Sequence, residues 1–169
     1  SAASDVYKRQ EYMDSSTIRF PRPIPASPTV IWKVISDIDS MGSRSPQCKK
    51  MIALPLGSNP LHPGGTTLNI NRRGKYTFWA TTARFLTVKP EKELSFFIPA
   101  NHYMWVYRLE PAGDGRTTVT LERLLADTQP TLFSSLVTRF FLGGDDAFAQ
   151  EMAAGMQETL ANVEKQAVA

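Results

Sequence analysis

Residues 76–125 read YTFWATTARFLTVKPEKELSFFIPANHYMWVYRLEPAGDGRTTVTLERLL. Four segments rich in β-branched and aromatic residues (76–88, 93–98, 102–110 and 116–125) are separated by KPEKE, PAN and PAGDG. Such composition bounded by Pro, Gly, Asn and Asp is the signature of strands and turns. The links are too short for the crossover that parallel strands require, so the four strands must run as an antiparallel meander.

Working outward from this meander, HPGG at 62–65 is a two-glycine turn between a weaker strand, KKMIALP, and TTLNINRRG. Upstream, STIRFPRP alternates Ile18 and Phe20 before Pro21 and Pro23, predicting a short first strand and a sheet of six to seven in all. In ASPTVIWKVISDI, Ser27 is an N-cap, Pro28 takes the first helical position, and Ile31, Val34, Ile35 and Ile38 share a face. These residues predict a helix of about three turns, which MGSRSPQC ends. After Pro130 the period changes. TLFSSLVTRFFL and a Gly143-Gly144 break lead into DDAFAQEMAAGMQETLANVEKQ, where Phe148, Met152, Met156, Leu160 and Val163 form one stripe. Asp145 and Asp146 suit the positive end of a long C-terminal helix. Strand, helix, meander and long helix make an α+β fold: a curved antiparallel sheet, one long helix to wrap around, and a short N-terminal helical segment.

The first ten residues, SAASDVYKRQ, match the translation of a DNA-sequencing adapter and transposase end. Residues 1–12 are therefore expected to be an artefactual or disordered leader, and 13–169 a single domain starting at Met13. A chain of this length buries about 70% of the surface its unfolded state exposes. The net charge of +3 is too small to imply a nucleic-acid partner, and Lys49-Lys50 and Arg72-Arg73 with Lys75 read as solvated strand ends. Cys48 is the sole cysteine, which excludes an intrachain disulfide and a Cys-rich metal site. No basic segment followed by a long apolar run opens the chain at Met13. TLFSSLVTRFFL contains Arg139 and is shorter than the roughly 20 residues a spanning helix needs. A cytoplasmic location is expected.

Strand alternation sorts the side chains. If Phe85 faces inward, so do Ala83, Thr81 and Trp79. By the same rule Phe96 goes with Leu94 and Ile98, Trp105 with Tyr107 and Leu109, and Arg123 with Thr117, Val119 and Leu121. On the long helix, Met152, Gly155, Met156 and Thr159 share the face toward the sheet. Gly155 there would leave room beside it, and the two methionines supply a deformable wall.

Several segments together resemble the polyketide cyclase/dehydrase-like proteins of the START and Bet v 1 (SRPBCC) superfamily. VIWKVISDIDSMGSRSP is similar to the family's first-helix segment, FWATTARFLTVKPEKELSFF to its Trp-bearing strand, Pro turn and Phe-rich strand, MWVYRLEPAGDGRTTVT to its Trp-x-Tyr strand and Gly-Thr turn, and GMQETLANVE to its closing helix. One departure stands out. An aromatic often precedes the Ser-Pro of the first segment, and Arg44 stands there, which implies a more polar entrance. The resemblance implies a helix-grip fold that holds a hydrophobic or amphipathic molecule (lipid-, polyketide- or isoprenoid-like) without metal or nucleotide cofactor, as carrier, sensor or sequestering protein. A cyclase, aromatase or dehydrase acting in the same cavity is the alternative. Trp79, Thr81, Phe85, Phe96, Ile98, Trp105, Tyr107, Leu121, Arg123, Met152 and Met156 would line the site.

An aromatic stripe also fills ordinary cores, so both readings stand for these residues. An empty cavity of about 300 Å³, at about 24 cal/mol per Å³, would cost about 7 kcal/mol, so the space must hold side chains, water or ligand. Arg123, inward among apolar neighbours, needs a carboxylate, a carbonyl or an anionic ligand group. Glu122 points the other way and Arg84 to solvent. Asp37 reads as a helix-end acceptor. His62 and His102 lack metal-type spacing with Asp, Glu or Cys, and no nucleophile elbow, phosphate loop or dinucleotide fingerprint is present. Cys48 has no activating partner in sequence. Tyr107 or Tyr103 with Arg123 could polarise a carbonyl if the chain is an enzyme. Phe140, Phe141 and Leu142, before the double glycine, are either a packed lid or an interfacial patch, the one place where membrane contact is foreseen.

Overall fold

The computed structural model describes residues 12–13, 17–126 and 145–169. Among these, an antiparallel sheet is built from β1 (Tyr12–Met13), β2 (Thr17–Ile24), β3 (Cys48–Leu54), β4 (Thr66–Arg73), β5 (Thr77–Lys89), β6 (Glu93–Ile98), β7 (Tyr103–Gly113) and β8 (Arg116–Leu125). The spatial order is β1-β2-β8-β7-β6-β5-β4-β3. Strands β3 to β8 are therefore the expected uninterrupted meander. β2 returns beside the last strand, with Phe20 opposite Leu121. β1 is a two-residue extension, Tyr12 opposite Arg19, which leaves seven substantial strands.

The chain must cross from β2 at one side of the sheet to β3 at the other, and the helical segment makes that crossing. α1 (Pro28–Ser36) is followed by a 3-10 turn (Ile38–Ser40) and a one-turn helix α2 (Met41–Arg44). Ser27 caps α1 by accepting from the Val30 amide at 3.4 Å, with Pro28 inside the first turn. Ile31 and Ile35 are buried against the core. Asp37 ends α1 as expected of an acceptor, its carboxylate taking a hydrogen bond from Ser40 Oγ at 2.7 Å.

α3 (Asp145–Ala167) lies along the inner face of the sheet. Met156, Leu160 and Val163 are buried in the core. Ion pairs tie its two ends to the sheet: Arg73 to Glu151 at 2.8 Å and Arg22 to Glu164 at 2.5 Å. Asn162 and Gln166 reach the other way, donating to Arg44 O and Ser43 Oγ at 3.0 Å each. The helix is thus held between sheet and N-terminal segment.

A bulge between Phe85 and Thr87 breaks the β5–β6 register. Inward positions run Trp79, Thr81, Ala83 and Phe85, then shift to Val88, which pairs with Leu94. The extra residue bends β5 and adds to the sheet's curvature. No helix among the described residues is long and apolar enough to cross a membrane. The segment containing Phe140, Phe141 and Leu142 lies outside the described residues.

Candidate functional site

Register fixes which side chains share the concave face. One rung runs Phe85, Phe96, Trp105, Arg123 and Ile18, each opposite the next. The adjacent rung runs Leu94, Tyr107, Leu121 and Phe20. Ile98 pairs with Tyr103 one step further along. The alternation read from the sequence therefore brings Phe85, Phe96, Ile98, Trp105, Tyr107, Leu121 and Arg123 onto one surface. Met156 is buried in the same core, and Met152 packs against it. Phe85 and Phe96 meet edge to face with centroids 5.8 Å apart.

Trp79 and Thr81 belong to a different half of this face. They sit opposite Asn71 and Asn69 of β4, and Thr67, Asn69 and Asn71 are buried. Thr67 Oγ1 donates to Asn69 Oδ1 at 2.8 Å, and Asn71 Nδ2 donates to Thr81 Oγ1 at 3.0 Å. β4 is inverted: its polar residues face in while Leu68 and Ile70 take the outer, partly exposed face. The concave face thus has a polar half on β4–β5 and an apolar, aromatic half on β6–β8 and β2.

Arg123 is 4% exposed. Its guanidinium carbon lies 3.4 Å from the Tyr103 ring centroid, 5.2 Å from that of Phe148 and 5.9 Å from that of Trp105. Burial pulls its pKa down to about 10, against the opposing effect of Tyr103, which also hydrogen-bonds it. The group therefore stays charged near neutrality. Its Nε has no hydrogen-bond partner. Glu122, as expected, points to the other face, where it bonds Arg19 at 3.0 Å and Arg108 at 2.5 Å.

Arg44 was not expected inside. It is 1% exposed, so the residue read as a polar entrance is an interior cation. Its Nη2 donates to Asp37 O at 2.7 Å, while Nη1 has no partner. Among the described residues, these two arginines hold the buried side-chain nitrogens that lack one. Desolvation lowers the Arg44 pKa, opposed by Tyr107, Asp37 and Cys48. Tyr107 in turn is pushed by burial up to about 12, with Arg44 pulling it down. It can donate a proton but does not ionise at neutral pH. Cys48 is driven by burial to about 11 and is not a thiolate nucleophile.

Gly155 corrects a second expectation. A Cβ there would lie 3.3 Å from Pro46 Cγ; the glycine admits the Ser45-Pro46 segment rather than leaving room beside the sheet. His62 Nδ1 lies 3.1 Å from Pro63 O, and the His102 ring stands edge-on to Phe97. No cluster of three or more His, Cys, Asp or Glu capable of holding a metal occurs among the described residues. The basic segment 72–75 does carry aromatics: Arg72 lies over Phe78 and Lys75 over Tyr76, all at the β4–β5 hairpin tip.

A curved antiparallel sheet around a C-terminal helix, with an inner face divided between polar and apolar halves, defines a helix-grip protein. Over residues 16–168 the chain matches the family described as polyketide cyclase / dehydrase and lipid transport, and it belongs to that family. Similar solved structures include a protein of Nitrosomonas europaea, NE0264 (16% identity, 92% of this chain and 97% of that one, TM-score 0.64). A second is the di-domain ARO/CYC StfQ of the steffimycin biosynthetic pathway (9% identity, 98% of this chain and 54% of that one, TM-score 0.66). A third is TTHA0849 of Thermus thermophilus (18% identity, 90% and 97%, TM-score 0.59). At these identities the likeness is one of fold. No curated protein matches the chain.

Proposed function

We propose that the chain binds an amphipathic small molecule, lipid-, polyketide- or isoprenoid-like, between the concave face and α3, as a carrier, sensor or sequestering protein. One observation carries this reading: Arg123 is buried, keeps its charge, and has a donor without an acceptor amid an aromatic wall. Among the described residues no carboxylate pairs with it; a buried cation left so is costly, and a ligand's acidic or carbonyl group would offset that cost. Phe85, Phe96, Ile98, Trp105, Leu121, Met152 and Met156 would contact the apolar body. Trp79, Thr81 and Tyr107 would meet its polar substituents. The family's description, which names lipid transport, supports the same reading.

A second reading, cyclisation or dehydration of a polyketide-like chain, has one specific observation in its favour. The Tyr107 phenol, held protonated and under the influence of Arg44, could donate to a carbonyl oxygen as negative charge develops on it.

Native mass spectrometry of protein purified without detergent tests the binding reading. The expected result is a discrete mass excess that denaturation removes. A clean apo mass, with no uptake from a panel of fatty acids, isoprenoids and polyketides, would overturn it. Turnover of a bound polyketide would establish the second reading, and unchanged turnover in Tyr107→Phe would remove Tyr107 from it.

A further inference from the structure

Arg44, at the end of α2, and Arg123, on β8, are both buried in the interior. Arg123 stacks on Tyr103 and lies by Phe148 in the first turns of α3, whereas Arg44 O accepts from Asn162 Nδ2 in the last turns of α3, and the buried Arg44 charge is felt at Tyr107. Tyr103, Trp105 and Tyr107 alternate on the same face of β7. The two tyrosines are four positions apart, about 13 Å at about 3.3 Å per strand residue. The space between belongs to Trp105, with Phe96 on its flank. The concave face therefore carries an apolar stretch with a guanidinium near each end, and each guanidinium keeps one nitrogen unbonded.

Among the described residues, no carboxylate bonds either guanidinium. The carboxylate nearest to Arg44 in its effect is Asp37, which is exposed and engaged by Ser40, and only the Asp37 main-chain oxygen bonds Arg44. The buried carboxylate of β8, Glu122, is on the opposite face with Arg19 and Arg108. Two buried cations in one interior, each with a nitrogen that has no partner and with no carboxylate bonded to either among the described residues, are suited to receive two anionic groups.

We propose that the ligand is an elongated acid with an anionic group at each end and an apolar body between, one end held by Arg123 and the other by Arg44. This rests on the binding reading above and sharpens it.

Isothermal titration with an even-numbered series from hexanedioate to hexadecanedioate, against the matching monocarboxylates and 1-dodecanol, tests the proposal on the wild-type chain. The expected result is a maximum at decanedioate or dodecanedioate, at least about tenfold tighter than the monoacid of equal length, since a hydrogen bond to a charged group is worth that factor. Arg44→Met should bring the affinity for each diacid down to that for the monoacid of equal length, with circular dichroism confirming the fold. Equal affinity for diacid and monoacid would overturn the two-anchor assignment while leaving the binding reading standing. Binding of dodecanol alone would do the same. Failure of every compound, together with an apo mass, would overturn both.

Discussion

Arg123 decides more about this molecule than any other single side chain. Its charge persists because burial lowers its pKa only to about 10, so the cost cannot be escaped by losing a proton at neutral pH. Among the described residues no carboxylate faces this buried charge, and an apolar residue of similar length avoids its desolvation cost. Arg123→Met is therefore expected to leave the unliganded protein as stable or up to about 2 kcal/mol more stable in urea denaturation, while weakening dodecanoate binding at least about tenfold. A purely structural arginine would show the opposite, a clear loss of stability. Cys48 gives a second prediction at this scale. With its thiol pushed up to about 11, it should react with a disulfide reagent far more slowly than free cysteine, whose pKa is about 8.5, and speed up on unfolding. Rapid reaction in the folded state would contradict its half-buried, protonated placement.

Among the elements, the sheet carries an ion-pair network on its outer face. Ser95, Val106, Glu122 and Arg19 form one outer row by register. Burial alone would raise the Glu122 pKa, but hydrogen bonds and charge from Arg19 and Arg108 outweigh it and hold the carboxyl below its ordinary value. Its contribution to stability is therefore complete above the unfolded value of about 4.3, and it is lost as pH falls through the lower folded value. Glu122→Gln should cost about 1–2 kcal/mol at pH 7, with the gap to wild type closing below about pH 4. A gap independent of pH would contradict the ion-pair account. A turn glycine and a helix glycine offer a contrast. A Cβ on Gly65 would meet Pro60 O at 1.9 Å, main chain that cannot yield, whereas on Gly155 it meets the Pro46 ring at 3.3 Å. Gly65→Ala should lower stability by about 2 kcal/mol or more. Gly155→Ala should be nearly neutral, its crowding set against roughly 1 kcal/mol of helix propensity.

At the scale of the whole molecule, the meander, the first helix and the closing helix were legible because each has a strong period and clear punctuation: Ser27-Pro28 opens α1, and Gly-Asp turns separate β7 from β8. The faces of β5 to β8 were legible too, since large apolar residues alternate there. β4 was not, because Thr67, Asn69 and Asn71 face inward and Leu68 and Ile70 outward, the reverse of the usual amphipathic strand. A sequence pattern shows two faces without showing which is concave. Arg44 escaped for a related reason: Met41–Arg44 is a single helical turn, too short for periodicity to orient, and an arginine beside Ser-Pro reads as surface. Its signal was the departure from the family's aromatic, which marked the position without revealing its burial. The bulge after Phe85 was likewise silent, as a one-residue insertion leaves no composition trace in FLTV.

These placements converge on one claim, that Arg123 awaits an acidic group in the interior. The most direct test is the arginine Nε–H correlation in a two-dimensional nitrogen–proton NMR spectrum, with the Arg123 signal assigned by its loss in Arg123→Met. On saturation with dodecanoate that signal should move downfield, as a free donor becomes hydrogen-bonded to a carboxylate, and 1-dodecanol should leave it in place. Saturable dodecanoate binding with the Arg123 signal unmoved would contradict the claim.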